Sequence, residues 1–335
     1  MEPTENVELR LDLEWELWVI ENLLCGATPS QVVDALSSQG TPRELAQAQV
    51  DAIHGSARFA KLRTRVTRAF MAEQTLKLRR EISGPWGIDV APSLSRDELY
   101  ERYFRPSRPV LLTDALGDLP ALSRWSFDFF RREHGDLEVE VNCGRNEAAR
   151  KSKTEAESER VKLSSFIDEV LEGEGNARYI VSKNGLLARP ELRHLEEDLA
   201  PLPDFLEPPK LPAGVALWLG PKGTFSPAHF DPHGVLLVQV EGTKRIRLVS
   251  PDELPLLEDM DGYYARPELD DPALHERPDF DPRAIAEATI SKGQALFVPA
   301  GWFHEVTSLT PSLTLSFLTF VWDNHFHWLR PLSSR

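Results

Sequence analysis

Apolar residues recur at helical spacing over the first eighty positions and at strand spacing beyond about residue 86. Leu13, Leu17, Ile20 and Leu24 are 4, 3 and 4 apart, which traces one face of a helix. Trp15 and Trp18 supply a second apolar face, so this helix is expected to be covered on two sides. Gly26 is placed to end it. Thr28-Pro29-Ser30-Gln31 has the form of a capping box with proline at the first helical position, and Thr41-Pro42-Arg43-Glu44 repeats that form after Gly40. A longer polar helix, rich in Arg and Lys, is predicted from about Ser56 to Ile82, with Gly84-Pro85 breaking it. Residues 1–85 therefore predict a helical region that packs on a main domain over 86–335. A homodimer or a docked peptide held by these helices is the lesser alternative.

The texture changes at Trp86. Arg108-Pro109-Val110-Leu111-Leu112-Thr113 predicts a buried strand, and Leu137 to Val141 alternates as a half-buried strand does. Asn146 to Arg160 is charged and reads as a mobile loop or helix tip. Tyr179 to Ser182 predicts another strand. Ala200 to Pro212 holds five prolines and excludes a long regular element. Strands then follow closely at Val215–Leu219, Val235–Val240, Lys244–Val249, Ala295–Pro299 and Leu313–Phe320. Short strands without regular helical alternation argue for a mainly β sandwich or barrel rather than a doubly wound sheet. Glu253 to Ile290 forms an acidic, proline-punctuated excursion, and insertions of this kind are more often functional rims than core.

Charge narrows the partners. Thirty-eight basic against 53 acidic residues leave a net charge of −15, which repels phosphate backbones and anionic membrane surfaces. No nucleic acid and no membrane are expected, and a basic peptide or protein segment suits the field better. Two cysteines, Cys25 and Cys143, make neither a disulfide framework nor a zinc ribbon and fit a reducing compartment. The N-terminal residues lack the basic flank and apolar core of a signal peptide, so a cytoplasmic location is expected.

The stretch Ser226-Pro-Ala-His229-Phe-Asp231-Pro-His233-Gly carries the candidate chemistry. On a strand, residues i and i+2 share a face, so His229 and Asp231 can offer an imidazole and a carboxylate to one point. A second histidine must come from elsewhere. His233 continues the series, with Pro232 disturbing it, and His304 follows the strand and tight turn of Phe297-Val-Pro-Ala-Gly-Trp-Phe. Two His and one carboxylate form the facial triad of non-haem Fe(II) oxygenases. A polar strand rim is the plain alternative.

At these residues the sequence resembles the JmjC-domain (cupin-like) Fe(II)/2-oxoglutarate oxygenases, most of all the small JmjC protein hydroxylases. One block runs Trp218-Leu-Gly-Pro-Lys-Gly-Thr-Phe-Ser-Pro-Ala-His229-Phe-Asp231-Pro and continues to Leu237-Val-Gln-Val-Glu-Gly-Thr-Lys244-Arg-Ile-Arg-Leu-Val-Ser-Pro251. The second runs from Gly293 to His304, and a looser likeness begins near Leu99. The resemblance implies a double-stranded β-helix with flanking helices. It implies His229, Asp231 and His304 as iron ligands and catalytic residues, in preference to His233. It implies Lys244 as partner of the distal carboxylate of 2-oxoglutarate, with Ser226, Tyr179 and Ser316 lining the same subsite. Trp218 and Glu140 resemble substrate-pocket residues. Val235 departs from the family, whose close members carry asparagine there, and Leu318 stands where some hydroxylases carry an aromatic residue.

The expected function is hydroxylation of an amino-acid side chain in a protein or peptide, with succinate and CO₂ as co-products. The alternatives are demethylation of N-methyl-lysine, a cupin-fold binding module without catalysis, and a Zn²⁺ or Mn²⁺ isomerase or hydrolase.

Overall fold

The computed structural model describes residues 12–324, apart from 85, 115, 146–156, 182–184, 209–213, 258–259, 262, 266–267 and 279. The chain divides into two compact units, with the break between Leu78 and Arg79.

The first unit is built on four helices: α1 (Leu13–Leu24), α2 (Pro29–Ser38), α3 (Arg43–His54) and α4 (Ala57–Ser83), the last running across the break. The Thr28 box forms as predicted, with Gln31 and Thr28 satisfying each other's backbone N–H groups. The box predicted at Thr41 does not. Helix α3 begins at Arg43, so Pro42 takes the cap position and offers no side-chain acceptor. The core is Val19, Leu23, Val32, Val33, Leu36, Ala46, Val50 and Phe59. On α1, Trp15, Trp18, Ile20 and Leu24 pack against this core as expected, but Leu13 and Leu17 are 70% and 50% exposed, and Val19 and Leu23 are the buried residues. Both faces of α1 are apolar, so spacing alone could not say which one α2 and α3 would cover.

The second unit is a pair of six-stranded sheets. Its strands are β1 (Asp89–Ala91), β2 (Val110–Leu112), β3 (Glu138–Asn142), β4 (Ser158–Lys162), β5 (Val215–Gly220), β6 (Phe225–His229), β7 (Val235–Glu241), β8 (Thr243–Val249), β9 (Met260–Asp261), β10 (Tyr264–Ala265), β11 (Ile285–Ser291), β12 (Ala295–Val298), β13 (Phe303–Ser308) and β14 (Ser312–Phe317). One sheet has the order β1-β2-β12-β7-β14-β5, the other β11-β8-β13-β6-β10-β9, and β3 pairs with β4 apart from both. From β5 onward the chain steps repeatedly from one sheet to the other. The two inner faces meet: Val235, Leu296 and Val298 of the first sheet pack with Ile246, Leu248, Ala288 and Ile290 of the second. On its outer face the first sheet presents Val215, Leu217, Leu219, Leu313, Leu315 and Phe317 to a layer containing Trp125, Phe130 and Phe166.

Strand β8 shows how alternation sets this up. Lys244, Ile246 and Leu248 are buried, while Arg245 and Arg247 face outward. Two predictions are corrected here. Within the segment read as a loop from Asn146 to Arg160, residues Ser158–Lys162 form β4, paired along the full length of β3, and 146–156 lie outside the described residues. The end of the predicted excursion is β11, whose seven residues pair with β8. Its polar content hid the alternation of buried Ala288 and Ile290 with exposed Glu287, Thr289 and Ser291. At the predicted strand Tyr179–Ser182 there are single bridges, Tyr179 to Asn142 and Ile180 to Leu219, and residue 182 is not described. Among the described residues no helix is long and apolar enough to cross a membrane.

Gly242 turns the chain between β7 and β8 at φ +79°, and a Cβ there would sit 1.9 Å from the Pro311 carbonyl oxygen. Gly242→Ala is expected to cost about 1–3 kcal/mol through backbone strain alone, with the clash added. Thermal and denaturant unfolding of the variant measure this, and an unchanged midpoint would contradict it.

Candidate functional site

Strands β6 and β13 bring the candidate chemistry together. His229 closes β6 and lies directly opposite His304 in the antiparallel register. Asp231 follows two residues later. One ligand atom from each of the three lies within 4.8 Å of the others, so they could hold a metal ion. His304 Nε2 is 3.7 Å from Asp231 Oδ2, and the two imidazole centroids are 4.2 Å apart. Nδ1 of His229 is 2.8 Å from the Pro227 carbonyl oxygen, and Nδ1 of His304 is 3.1 Å from that of Trp302. With Nδ1–H donating to those carbonyls, each ring keeps Nε2 as its basic nitrogen, the arrangement that orients a metal-binding imidazole. His233 stands outside this group.

A bulge completes the inner face. His304 pairs with His229, but Val306 pairs with Ser226, so β6 spends three residues where β13 spends two. Ordinary alternation would set Ser226 and His229 on opposite faces; the extra residue returns them to one face. On the other flank of β13, Ser308 pairs with Lys244, which puts Lys244 on that face too.

Lys244 is 3% exposed and its Nζ donates to the Tyr179 hydroxyl at 2.9 Å. The Tyr179 ring packs against Trp218, with centroids 5.8 Å apart, and Trp218 Nε1 donates to Ser316 Oγ at 2.9 Å. Four of the sequence-predicted residues thus form one connected chain across the two sheets. Val235 and Leu318 belong instead to the apolar cluster between the sheets. Glu140 is exposed on β3 and lines a separate cavity of about 290 Å³ with Glu138, Arg160, Ile180 and Arg189. The metal-type cluster does not line that cavity.

Sequence reasoning missed five residues in and around the site. Tyr264 on β10 pairs with His229, ring centroids 5.3 Å apart. Burial, and then the Asp231 carboxylate, push its phenol up to about 12. It lies in the predicted excursion, whose length and acidity were the only signal. Arg145 and Asn176 hold the start of β6 through Phe225. Burial draws the Arg145 guanidinium below its usual value. Asn324 is buried and clamps the loop behind Asp231. It accepts from Gly234 N at 2.8 Å and donates to the carbonyls of Gly234 and Leu318 at 2.9 and 2.8 Å. On the outer side of β13, Glu305 is 2% exposed; burial raises its carboxyl pKa although Leu269 N donates to it at 3.1 Å.

A family profile described as a cupin-like domain matches residues 96–327. The chain is 29% identical over 234 residues to lysine-specific demethylase 8 of Xenopus tropicalis, covering 68% of this chain and 51% of that protein. It is 29% identical over 247 residues to lysine-specific demethylase JMJ30 of Arabidopsis thaliana, covering 71% and 55%. With the human bifunctional peptidase and (3S)-lysyl hydroxylase JMJD7 it shares 27% over 250 residues, 65% of this chain and 79% of that one. The chain spans about half the length of the two demethylases it matches.

Asn324→Ala removes three hydrogen bonds beside the Asp231 loop, two of them buried. The expected loss is about 2–4 kcal/mol of stability, read by denaturant unfolding. A loss under about 0.5 kcal/mol would show that the clamp does not hold this loop.

Proposed function

The chain belongs to the cupin-like family and to its JmjC-type Fe(II)/2-oxoglutarate oxygenases, and from that premise we propose that it hydroxylates an amino-acid side chain in a protein or peptide. What supports this above all is the set of His229, Asp231 and His304 beside a buried Lys244. The strand alternation between two facing sheets supports reading residues 86–335 as a double-stranded β-helix.

The donor set fits iron(II): two imidazole nitrogens and one carboxylate within 4.8 Å of one another, three protein ligands that would leave further coordination positions to the cosubstrate and O₂. When bound, iron with 2-oxoglutarate supplies the oxidising chemistry, in which O₂ is consumed and succinate and CO₂ are released as one oxygen atom passes to the substrate. The chain's own residues do the rest. Lys244 would give the distal carboxylate a buried point charge, and the Tyr179 hydroxyl fixes where its Nζ sits. Ser226 and Ser316 add hydroxyl donors on the facing strands. Leu248, Val235 and Trp302 keep water from the far end of the interior.

The first of these relatives carry the name demethylase, and this favours a second reading in which the carbon hydroxylated is an N-methyl group of lysine. The resulting hemiaminal then breaks its C–N bond, releasing formaldehyde and the amine. The net charge of −15 supports a basic protein segment as substrate in either case. Free Cys25 and Cys143 support a reducing, cytoplasmic setting.

Purified protein with Fe(II), 2-oxoglutarate and ascorbate is expected to consume O₂ and release succinate. His229→Ala should abolish both. Lys244→Ala should retain metal but weaken 2-oxoglutarate binding about 100-fold, the worth of a buried charge-assisted contact. No turnover together with no calorimetric binding of 2-oxoglutarate would sink the oxygenase and leave a cupin-fold binding module. Mass spectrometry of Lys- and Arg-containing peptides, with and without N-methylation, separates the outcomes: gain of one oxygen for a hydroxylase, loss of one methyl for a demethylase.

A further inference from the structure

We infer that Arg145 is a positioning residue of the cosubstrate subsite, holding the Tyr179 ring so that its hydroxyl stays on Lys244. This rests on the oxygenase reading of the site. Arg145 lies three residues beyond the end of β3 and is half-buried. Its guanidinium carbon lies over the Tyr179 ring, 5.2 Å from the centroid. The same ring carries the hydroxyl that accepts from Lys244 at 2.9 Å. Arg145, Tyr179 and Lys244 therefore form one sequence of contacts running from the loop after β3 to the inner face of β8.

Two further contacts stop the guanidinium from sliding. Nη2 donates to the Phe225 carbonyl at 2.9 Å, and Nε donates to Asn176 Oδ1 at 3.4 Å. Asn176 Oδ1 in turn accepts from Phe225 N at 2.8 Å. Phe225 is the residue before Ser226 and opens β6, so the cation that covers Tyr179 is itself anchored to the start of that strand. The neighbouring backbone is already tied, since Gly175 N donates to Lys222 O at 2.7 Å and Tyr179 exchanges both backbone hydrogen bonds with Asn142. The backbone leaves the angle of the Tyr179 ring undetermined; Trp218 packs on the ring 5.8 Å away, and the Arg145 cation adds a charged contact that Trp218 cannot supply. Lysine could not substitute. Its ammonium has no plane to stack and no fork to reach Phe225 and Asn176 together, and burial would strip its proton far more readily than arginine's. Of the contacts that Arg145 makes, the one with the Tyr179 ring leads on to Lys244, and its inferred influence on the cosubstrate runs through that ring.

The test separates cosubstrate binding from metal binding and from folding. Calorimetry of 2-oxoglutarate against Mn(II)-loaded wild type, Arg145→Gln and Arg145→Lys is compared with Mn(II) affinity and melting temperature for each. The expected result is about tenfold weaker 2-oxoglutarate binding in both variants, the scale of one cation–π contact and one hydrogen bond, with Mn(II) affinity held within about twofold. Combining Arg145→Gln with Tyr179→Phe should weaken binding hardly more than Tyr179→Phe alone, because both act through one hydroxyl. Unchanged 2-oxoglutarate affinity in Arg145→Gln would overturn the inference. So would additive losses, or metal affinity and melting temperature falling in step. Wild type that fails to bind 2-oxoglutarate at all would overturn the oxygenase reading, and this inference with it.

Discussion

The register between β6 and β13 is the constraint on which the site depends. Pairing His229 with His304 across an antiparallel ladder brings two imidazoles to a centroid separation of 4.2 Å without help from any loop. A slip of one residue would turn the whole inner face outward and scatter the set. The bulge between that pair and the next adds a second consequence, because it returns Ser226 to the face that His229 occupies. Much of the surrounding architecture serves to keep this register. Gly301 N donates to the Asp231 carbonyl, Asn324 clamps Gly234, and Thr224 Oγ1 joins Ser308 Oγ at the far end of β13.

The interior between the sheets is divided in character. Toward β11 and β12 it is wholly apolar, with Leu248, Ala288, Ile290, Leu296 and Val298. From Lys244 on β8 across to Trp218 on β5 and Ser316 on β14 it carries a polar set that includes Tyr179, each member bonded to another. A buried polar group costs on the order of 1–3 kcal/mol when left unpaired, so a polar end inside a sandwich persists only if its members satisfy one another. Here they do so as a chain. The apolar end supplies the stability, and the polar end supplies a place where a charged guest can sit away from water.

The sequence disclosed the fold through alternation. The runs at Val215, Val235, Lys244, Ala295 and Leu313 all became strands of the two sheets, as the β reading required. It disclosed the metal-type cluster through the i, i+2 spacing of His229 and Asp231 and through a family pattern that selected His304 over His233. Three kinds of feature stayed hidden. The bulge has no residue signature, so Ser226 could be placed with His229 only by resemblance. Strand β11 was masked by Glu287, Thr289 and Ser291 on its exposed face. Arg145, Asn176 and Asn324 act through backbone partners 80, 49 and 90 residues distant, and no local pattern encodes a contact of that range. On α1 the two apolar faces were legible, but not that Leu13 and Leu17 would stay exposed while Val19 and Leu23 took the centre of the core.

Lys244 is where the physical and the familial arguments meet. In the sequence it stands beside Gly242 and Thr243, where a solvated hairpin lysine is the ordinary expectation. In the fold its side chain lies inward at 3% exposure, on a strand whose two arginines face out to Asp270 and Glu287. Those arginines have carboxylate partners; among the described residues Lys244 donates to the Tyr179 hydroxyl. Removing an ammonium from water costs on the order of several kcal/mol, and a single hydroxyl returns only a fraction of that. A chain of net charge −15 has carboxylates in excess, so nothing in its composition prevented one from being set against this lysine. Leaving the inward position to a lysine makes sense if an anion arrives from outside, and under the proposed function that anion is a dicarboxylate whose other end binds a metal held by His229, Asp231 and His304.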